Sequence, residues 1–346
     1  MRTKRLLIAS AGLWLCIFSS CYAQAEPSVV TAAQEGSATL ELPLQRFSGA
    51  RAFEVLRRYV ELGHRYYGAP RRPELIQTLR AELSSTRVLG SKTPIISAVD
   101  HFKATDRPSG VSYELANIIV RLHPERPQRV LIGTHWDTRL WAEEDADPAR
   151  RQEPITGAND GTSGLAVIFE LARLAQRSPL KGLGLDFVLF DGEEFGRPRS
   201  DDYCQGSKRF ASHLGRWYSE EAGRPLAVII LDMVGDRELS LPPERSSLTK
   251  ARPLTQALYA VARARGASAF TTERVGPWIV DDHSPFQALG IPSILLIDYD
   301  YAPWHTHQDS LERCSAESLE QVGGVVWETL KRLDSSVAAP LNEARP

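Results

Sequence analysis

Two adjacent carboxylates, Glu193 and Glu194, follow a short apolar segment that is closed by Asp191 and Gly192. The segment, residues 185–190, is rich in Phe, Val and Leu, and this composition predicts a buried strand of a parallel sheet. Ligands of open α/β sheets bind beyond the carboxyl ends of the strands, so both acids are placed where a site would form. An acidic pair alone is also typical of a solvated turn, and the residues after the other strands are needed to separate the two interpretations.

Further carboxylate side chains, and imidazole side chains, follow the other apolar segments, where strands are expected to end or helices to begin. These residues are His135, Asp137, Asp160, Asp232, Asp281, Asp282, His283 and His305. One Asp before a helix is usually a cap, but a whole set built only from carboxylate and imidazole groups is typical of a metal site. Oxygen and nitrogen ligands without thiolate favour Zn²⁺ in an open, catalytic position.

Apolar periodicity predicts strands that alternate with helices through most of the chain. The predicted strands are residues 95–99, 115–122, 129–133, 185–190, 226–231 and 292–298, and the predicted helices are residues 50–62, 72–83, 165–176, 254–265 and 316–331. The polar stretch 140–155 is predicted to be a surface loop. The alternation predicts an α/β fold with a mixed, largely parallel central sheet covered by helices on both faces. We see no dividing linker, so we expect a single catalytic domain over residues 26–346.

The N-terminus has the pattern of a secretory signal. Three basic residues within the first five positions precede an apolar stretch, residues 6–18, and the small-residue sequence Ala23-Gln24-Ala25. The pattern predicts a signal peptide over residues 1–25, and the apolar stretch is too short for an integral membrane span. We therefore expect an exported protein, periplasmic or secreted. Lipid attachment at Cys21 is the second interpretation.

The net charge and the cysteine content exclude few further functions. The formal net charge of -2 gives no electrostatic basis for nucleic-acid binding, so no nucleic-acid partner is expected. Cys16 and Cys21 lie within the predicted signal, which leaves Cys204 and Cys314 in the mature chain. A disulfide between these two and a pair of free thiols are both compatible with the sequence.

Six short motifs resemble, in their order and spacing, those of a known superfamily. The motifs are His135-Trp136-Asp137-Thr138, Gly157-Ala158-Asn159-Asp160, Asp191-Gly192-Glu193-Glu194, Leu231-Asp232-Met233-Val234-Gly235, Asp281-Asp282-His283-Ser284-Pro285-Phe286 and Trp304-His305-Thr306. Residues 50–332 resemble the zinc aminopeptidases with a phosphorylase/hydrolase-like fold (family M28-like), and within them the animal-type glutaminyl-peptide cyclotransferases. The resemblance implies an enzyme that acts on the N-termini of peptides or proteins, and we expect a monomer.

For a glutaminyl cyclase, the resemblance implies one Zn²⁺ ion with three protein ligands. These ligands are Asp160, Glu194 and His305. Glu193 would carry the proton from the substrate's α-amine to the leaving ammonia, as the N-terminal glutaminyl residue closes to pyroglutamate. Asp232 and Asp281 would form an acid network beside Glu193, and Trp304 would flank the substrate side chain. The zinc would polarise the γ-carbonyl that the amine attacks.

The superfamily also implies an alternative, a secreted aminopeptidase with two zinc ions. His135 and Asp232 would then hold a second ion, with Asp160 bridging the two metals. Glu193 would activate a water molecule instead of an amine. All ligands of both arrangements are present, so ligand identity alone does not fix the number of ions. A non-enzymatic binding domain with the same fold would be expected to lack a metal ligand or the general base. The sequence lacks neither.

Local features separate the two activities only in part. Trp304 directly before His305 and the loop at residues 280–286 resemble the cyclases. The turn at residues 157–164 resembles the aminopeptidases, and the loop after Glu194 has no tryptophan like that of the animal cyclases. The balance of these features favours the cyclase.

Overall fold

The computed structural model describes residues 46–85, 93–198, 200–218 and 223–343, all within one compact unit that spans Pro43–Pro346. The elements, in chain order, are α1 (Gly49–Glu61), α2 (Arg72–Ser85), β1 (Ile95–Asp106), β2 (Val111–Leu122), β3 (Arg129–His135), α3 (Thr162–Arg177), β4 (Gly184–Phe190), α4 (Gln205–Ser212), β5 (Ala227–Asp232), α5 (Arg245–Lys250), α6 (Arg252–Arg265), α7 (Ser284–Ala288), β6 (Ser293–Ile297) and α8 (Ala316–Glu343). The predicted signal peptide, Cys16 and Cys21 lie outside the described residues. Among the described helices, none is long and apolar enough to cross a membrane.

One mixed sheet with the strand order β1-β2-β4-β3-β5-β6 forms the centre of the fold. Strands β4, β3, β5 and β6 are parallel, whereas β2 runs antiparallel to both β1 and β4. Every residue of the four parallel strands is buried, as expected for strands covered on both faces. The predicted mixed, largely parallel sheet is confirmed.

Helices cover both faces of this sheet, as predicted. Neighbouring residues of β3 point in opposite directions, so that Ile132 joins one hydrophobic core and Leu131 joins the other. The first core also contains side chains of α1, α2, α3, α6 and α8. The second contains Phe210 of α4 and Phe286 of α7. The short helices α4, α5 and α7 were not predicted, because segments of five to eight residues carry little periodicity.

The N-terminal strands form a longer hairpin than predicted. Residues 95–106 pair with residues 111–122 over their whole lengths, from Ile95 opposite Leu122 to Asp106 opposite Val111. The extra residues mix polar and apolar types, because β1 lies at the edge of the sheet and is only partly buried. Apolar periodicity therefore identifies only the inner part of this hairpin.

The carboxyl ends of the parallel strands lie at one edge of the sheet, and α3 packs closely against that edge. A Cβ atom on Gly164 would lie 2.2 Å from Thr134 Oγ1 and 2.7 Å from the Leu231 carbonyl oxygen. The Thr134 hydroxyl donates a hydrogen bond to that same carbonyl (2.7 Å), which joins the ends of β3 and β5. The lack of a side chain at Gly164 thus lets the N-terminus of α3 approach the ends of two strands.

The segment predicted as a surface loop, residues 140–155, is only partly at the surface. Residues 147–153 are exposed, but Ala142, Asp145 and Ile155 are buried. Polar composition predicted exposure throughout, and this prediction is wrong at both ends of the segment. In its first part Glu143 pairs with the buried Arg139, and Asp145 pairs with His307, beside the site described below.

Candidate metal centre and active site

The structure brings all the predicted site residues together at the carboxyl edge of the parallel strands. His135 ends β3, Asp232 ends β5, and Asp160 lies just before α3. Glu193 and Glu194 begin a short 3₁₀ turn after β4. A cleft of about 570 Å³ opens here, and its lining includes the remaining predicted residues as well. The predicted residues that line it are Asp160, Glu193, Glu194, Asp232, Asp281, Trp304 and His305.

Two buried triads in this cluster have the geometry to hold a metal ion. One is His135, Asp160 and Asp232, and the other is Asp160, Glu194 and His305; within each triad the ligand atoms lie within 4.8 Å of one another. His135 Nε2 is 3.1 Å from Asp160 Oδ1 and 3.1 Å from Asp232 Oδ1. Asp160 belongs to both triads, as a bridging ligand would.

The second triad has the same compactness. His305 Nε2 lies 3.2 Å from Glu194 Oε1 and 3.6 Å from Asp160 Oδ2. Asp160 Oδ2 is buried and has no hydrogen-bond partner among the described residues. An unpaired buried carboxylate oxygen is costly, and a cation between these side chains would satisfy it.

The electrostatics also fit a cation. Burial and the neighbouring Glu194 charge raise the pKa of Asp160 to about 8. Burial, Asp232 and Asp282 likewise raise the pKa of Asp281 well above its ordinary value. Burial lowers the pKa of His305, but Glu194 and Glu143 outweigh that effect and raise it to about 10. The site thus holds more negative charge than its own basic groups neutralise, and carboxylate with imidazole suits Zn²⁺.

Asp137 links His135, its neighbour in the first motif, to the turn that carries Glu193 and Glu194. Its carboxylate accepts hydrogen bonds from the backbone N–H groups of Glu193 (3.3 Å) and Glu194 (3.1 Å). Its carbonyl oxygen lies 3.2 Å from Nδ1 of His135, an arrangement in which Nδ1 donates and Nε2 faces the triad. One residue therefore orients a candidate ligand and holds the acidic turn.

Asp309 holds the backbone of Asp160 in the same way. Its carboxylate accepts from the backbone N–H groups of Asn159 (2.8 Å) and Asp160 (3.1 Å), and Tyr301 donates its hydroxyl proton to it. Asp309 was not predicted as a site residue, because the two backbone N–H groups that it binds, at residues 159 and 160, are more than 140 positions away in the chain. The only feature in the sequence that could have indicated a role for Asp309 is that it is an acid in the segment after His305.

Backbone strain is concentrated at the same place. His305, Cys204 and Met233 all have positive φ (53°, 58° and 46°), which is uncommon for residues other than glycine. Gly161 has φ +89°, and a Cβ there would lie 2.5 Å from the Asp137 carbonyl oxygen and 3.0 Å from the His135 ring. Strained conformations of this kind persist where the surrounding contacts determine them, and they cluster at functional sites.

Glu193 differs from Glu194 in its surroundings. It belongs to neither triad and is half-buried at the cleft. Loss of hydration, together with the charges of Glu194 and Asp281, raises its pKa well above the ordinary value. The Cys204 thiol donates to Glu193 Oε1 (3.1 Å), and both Cys204 and Cys314 are free thiols, so the open question of a disulfide is resolved against it.

The wall of the cleft is aromatic. Trp304 is 42% exposed and stacks on the His305 ring with 3.8 Å between ring centroids. Tyr203 and Tyr299 also line the cleft, and the Tyr203 hydroxyl accepts a hydrogen bond from Arg139 (3.0 Å). The loop after Glu194 contains no tryptophan. Tyr203 supplies an aromatic ring from further along the same loop.

Two histidines in or next to the sequence motifs do not reach a triad. His283 Nε2 pairs with the Ser246 hydroxyl (2.8 Å), and His307 Nδ1 pairs with Asp145 (2.9 Å). Both are therefore structural. Glu143 Oε1 lies 3.1 Å from His305 Nδ1. This residue was not predicted to belong to the site, because it lies in the stretch that was predicted to be a surface loop.

Comparisons with known proteins place this chain and its fold in a family. The model of peptidase family M28 matches residues 117–330, more than half of the chain, and the chain belongs to that family. The solved glutaminyl cyclase of Porphyromonas gingivalis is 31% identical, with a TM-score of 0.74 over 83% of this chain and 99% of its own. A Zn-dependent exopeptidase from Parabacteroides distasonis is 28% identical, with the same TM-score and coverage.

A curated relative, the glutaminyl-peptide cyclotransferase of Gloydius blomhoffii, is 24% identical over 238 residues. The match covers 61% of this chain and 63% of that protein, less than two thirds of its length. These findings confirm the predicted superfamily and fold. Both a cyclase and an exopeptidase are similar to the chain, so the fold is compatible with either activity.

The triad Asp160, Glu194 and His305 predicts the effect of removing one ligand. We expect His305→Ala to weaken zinc binding by more than about 100-fold, because even the outer partners of metal ligands typically contribute 10–100-fold. His101→Ala, at an exposed histidine, is the control and should bind zinc as the wild type does. Zinc per chain after dialysis against a chelator measures both, and full zinc content in His305→Ala would contradict the assignment.

Proposed function

We propose that this protein is a zinc-dependent glutaminyl-peptide cyclotransferase that converts N-terminal glutaminyl residues of peptides or proteins to pyroglutamate. The proposal is carried by one arrangement: Glu193, which is in neither triad, faces a cleft whose aromatic wall includes Trp304, stacked on the candidate ligand His305. The similarity to a bacterial glutaminyl cyclase over 99% of its length supports the proposal.

The proposed metal site is the triad Asp160, Glu194 and His305. A zinc ion bound there would supply Lewis-acid polarisation of the substrate's γ-carboxamide carbonyl. Everything else in the reaction falls to the chain's own groups and to the substrate. The attacking amine and the attacked carbonyl belong to one residue, so a cleft that holds its side chain in a bent conformation supplies much of the rate enhancement.

Glu193 is the proposed proton carrier. In the reaction a bond forms between the α-nitrogen and the γ-carbonyl carbon, and the bond from that carbon to the amide nitrogen breaks. Glu193 takes the proton that the amine loses and delivers it to the departing nitrogen, which leaves as ammonia. A raised pKa suits this double role of base and acid. The Cys204 thiol occupies Oε1, which leaves Oε2 for the substrate.

Asp232 and Asp281 are proposed to support Glu193 as a network of acids. Asp281 is buried, and its charge is one of the causes of the raised pKa of Glu193. Glu193 and Asp281 interact as charged groups, so these two acids titrate as a pair and not as separate residues. Such a network keeps a proton close to Glu193 through both steps.

Trp304 is proposed to form the wall against which the glutaminyl side chain packs. Together with Tyr203, Tyr299 and Ile279 it makes the cleft partly apolar. A volume of about 570 Å³ lies within the usual range for small-molecule sites and accommodates one terminal residue with the start of the next. The wall also limits the entry of water, which would hydrolyse the amide instead of closing the ring.

A two-zinc aminopeptidase is the second candidate. The observation in its favour is the triad His135, Asp160 and Asp232, which is as compact as the proposed zinc site and shares Asp160 with it. If both triads hold ions, Glu193 activates water and a peptide bond is hydrolysed. The similarity to a Zn-dependent exopeptidase supports this candidate.

Export completes the proposal. The signal pattern at residues 1–25 supports a periplasmic or secreted enzyme, with lipid attachment at Cys21 as the alternative. We propose that it acts as a monomer on peptide or protein N-termini. The net charge of -2 gives no support to a nucleic-acid partner.

The two candidate functions predict different products from the same substrates. With glutaminyl-β-naphthylamide we expect loss of ammonia with the arylamide intact, because the amine attacks the side chain. With leucyl-p-nitroanilide we expect no release of p-nitroaniline. Mass measurement of the products distinguishes the outcomes, and release of either arylamine at a comparable rate would favour the aminopeptidase.

Glu193→Gln is expected to lower kcat by about 10²–10⁴-fold, the typical contribution of general acid–base catalysis. Zinc content should not change, because Glu193 belongs to neither triad. Glu114→Gln, at an exposed position of β2, is the matched control. Turnover near the wild-type rate in Glu193→Gln would remove this residue from the proton-transfer role, as would loss of zinc together with the activity.

A further inference from the structure

A polar segment behind His305 is fixed to the turn that carries this histidine. The backbone N–H of Glu144 donates to the His305 carbonyl oxygen (3.2 Å). The Asp145 carboxylate accepts from both the backbone N–H (3.0 Å) and Nδ1 (2.9 Å) of His307. Two successive residues of the segment thus hold the backbone that directly follows the side chain of the proposed zinc ligand, although nothing in the proposed reaction uses them.

Glu143, the residue before these two, faces the His305 ring itself. Its Oε1 lies 3.1 Å from Nδ1, and its side chain is only 16% exposed. The contact is off the ideal hydrogen-bond direction, but no other polar atom of the described residues bonds to Nδ1. Glu143 is therefore the group that is placed to accept a proton contact from Nδ1. The opposite ring nitrogen, Nε2, faces Glu194 and Asp160.

Arg139 connects Glu143 to a second ligand. This fully buried guanidinium donates from Nε to both carboxylate oxygens of Glu143 (3.0 Å and 3.1 Å). From Nη1 it donates to Glu194 Oε2 (3.3 Å) and to the Glu194 carbonyl oxygen (3.1 Å). With Oε2 held in this way, it is Oε1 of Glu194 that faces His305 Nε2, at 3.2 Å.

We propose that Glu143 is a positioning residue for the metal ligand His305 and that Arg139 holds Glu143 and Glu194 in the geometry the metal requires. By accepting from Nδ1–H, Glu143 leaves Nε2 unprotonated and directed at the metal position. Carboxylates that orient metal-bound histidines in this way also raise the basicity of the ring. The inference rests on the zinc site of the proposed function and assigns the residues that set its affinity.

The chain supplies a matched control for this proposal. Glu144 has the same side chain at the next position, but it is exposed, and only its backbone contacts the His305 turn. Substituting Glu144 removes one negative charge from the same segment without touching the His305 ring. A general effect of charge on zinc binding would therefore appear in both variants, whereas a positioning effect would appear only at Glu143.

The test compares the zinc affinities of Glu143→Gln, Glu143→Ala and Glu144→Gln, measured by competition with a chromophoric chelator. We expect Glu143→Ala to bind zinc about 10–100-fold more weakly, the usual effect of losing such a partner. Glu143→Gln keeps an acceptor without its charge and should lose less, and Glu144→Gln should match the wild type. After Co²⁺ substitution, the visible absorption spectrum should change in the Glu143 variants alone.

Wild-type affinity and an unchanged cobalt spectrum in Glu143→Ala would overturn the proposal, and so would an equal loss of affinity in Glu144→Gln. Thermal unfolding of the metal-free proteins shows whether each variant is folded, and Glu143→Gln, the smaller change, carries the test if Glu143→Ala is not. No substrate enters these measurements. A wild type that binds zinc but does not cyclise glutaminyl peptides would therefore contradict the proposed function and leave this inference standing.

Discussion

The rest of the site depends on the burial of the Asp160 carboxylate between two histidines and several other acids. One oxygen of this group faces His135, and the other has no hydrogen-bond partner among the described residues. Burying an ionised carboxylate without a partner is strongly unfavourable, so the fold has to supply either a proton or a cation there. The ends of β3, β5 and α3 are arranged around this one requirement. Asp309, Asp137 and the close approach of α3 at Gly164 hold the backbone that meets it.

The turn after β4 gives the two adjacent glutamates different surroundings. The 3₁₀ turn after β4 directs Glu194 toward His305 and Arg139, and there it completes a triad. Glu193 is directed to the cleft, where its neighbours are Asp281 and the Cys204 thiol. Both residues owe their aim to Asp137, which binds the two backbone N–H groups of the turn. This geometry serves an attacking amine or an attacking water equally well, and it is the aromatic wall of the cleft that favours the amine.

The buried parts of the fold could be predicted from the sequence because their residues are chosen by one dominant effect. The four parallel strands are covered on both faces, so they appear as apolar runs, and the polar residues that end them stand out. His135, Glu194 and Asp232 stand out in this way. Asp160 lies before a helix and His305 in a loop beyond the last strand, and the family resemblance was needed to assign them as ligands. The exposed half of β1 could not, because an edge strand carries polar residues.

The residues that surround the candidate ligands could not be predicted from the sequence. Glu143, Arg139 and Tyr203 lie in polar loops, and polar composition by itself predicts exposure. Their burial is set by partners that are distant in the chain, as in the contact of Arg139 with Glu194. A charged residue that is buried by pairing has the same sequence signature as one that is solvated. Only the three-dimensional positions of His305 and Glu194 show that this segment forms the back of the site.

The most direct test of the central claim is anomalous X-ray diffraction at the zinc absorption edge, from crystals grown with zinc. The claim is that the unpaired oxygen of Asp160 marks a metal position. An anomalous peak within bonding distance of Asp160, Glu194 and His305 is the predicted result. A map with no peak at this triad, or with a peak only between His135 and Asp232, would contradict it.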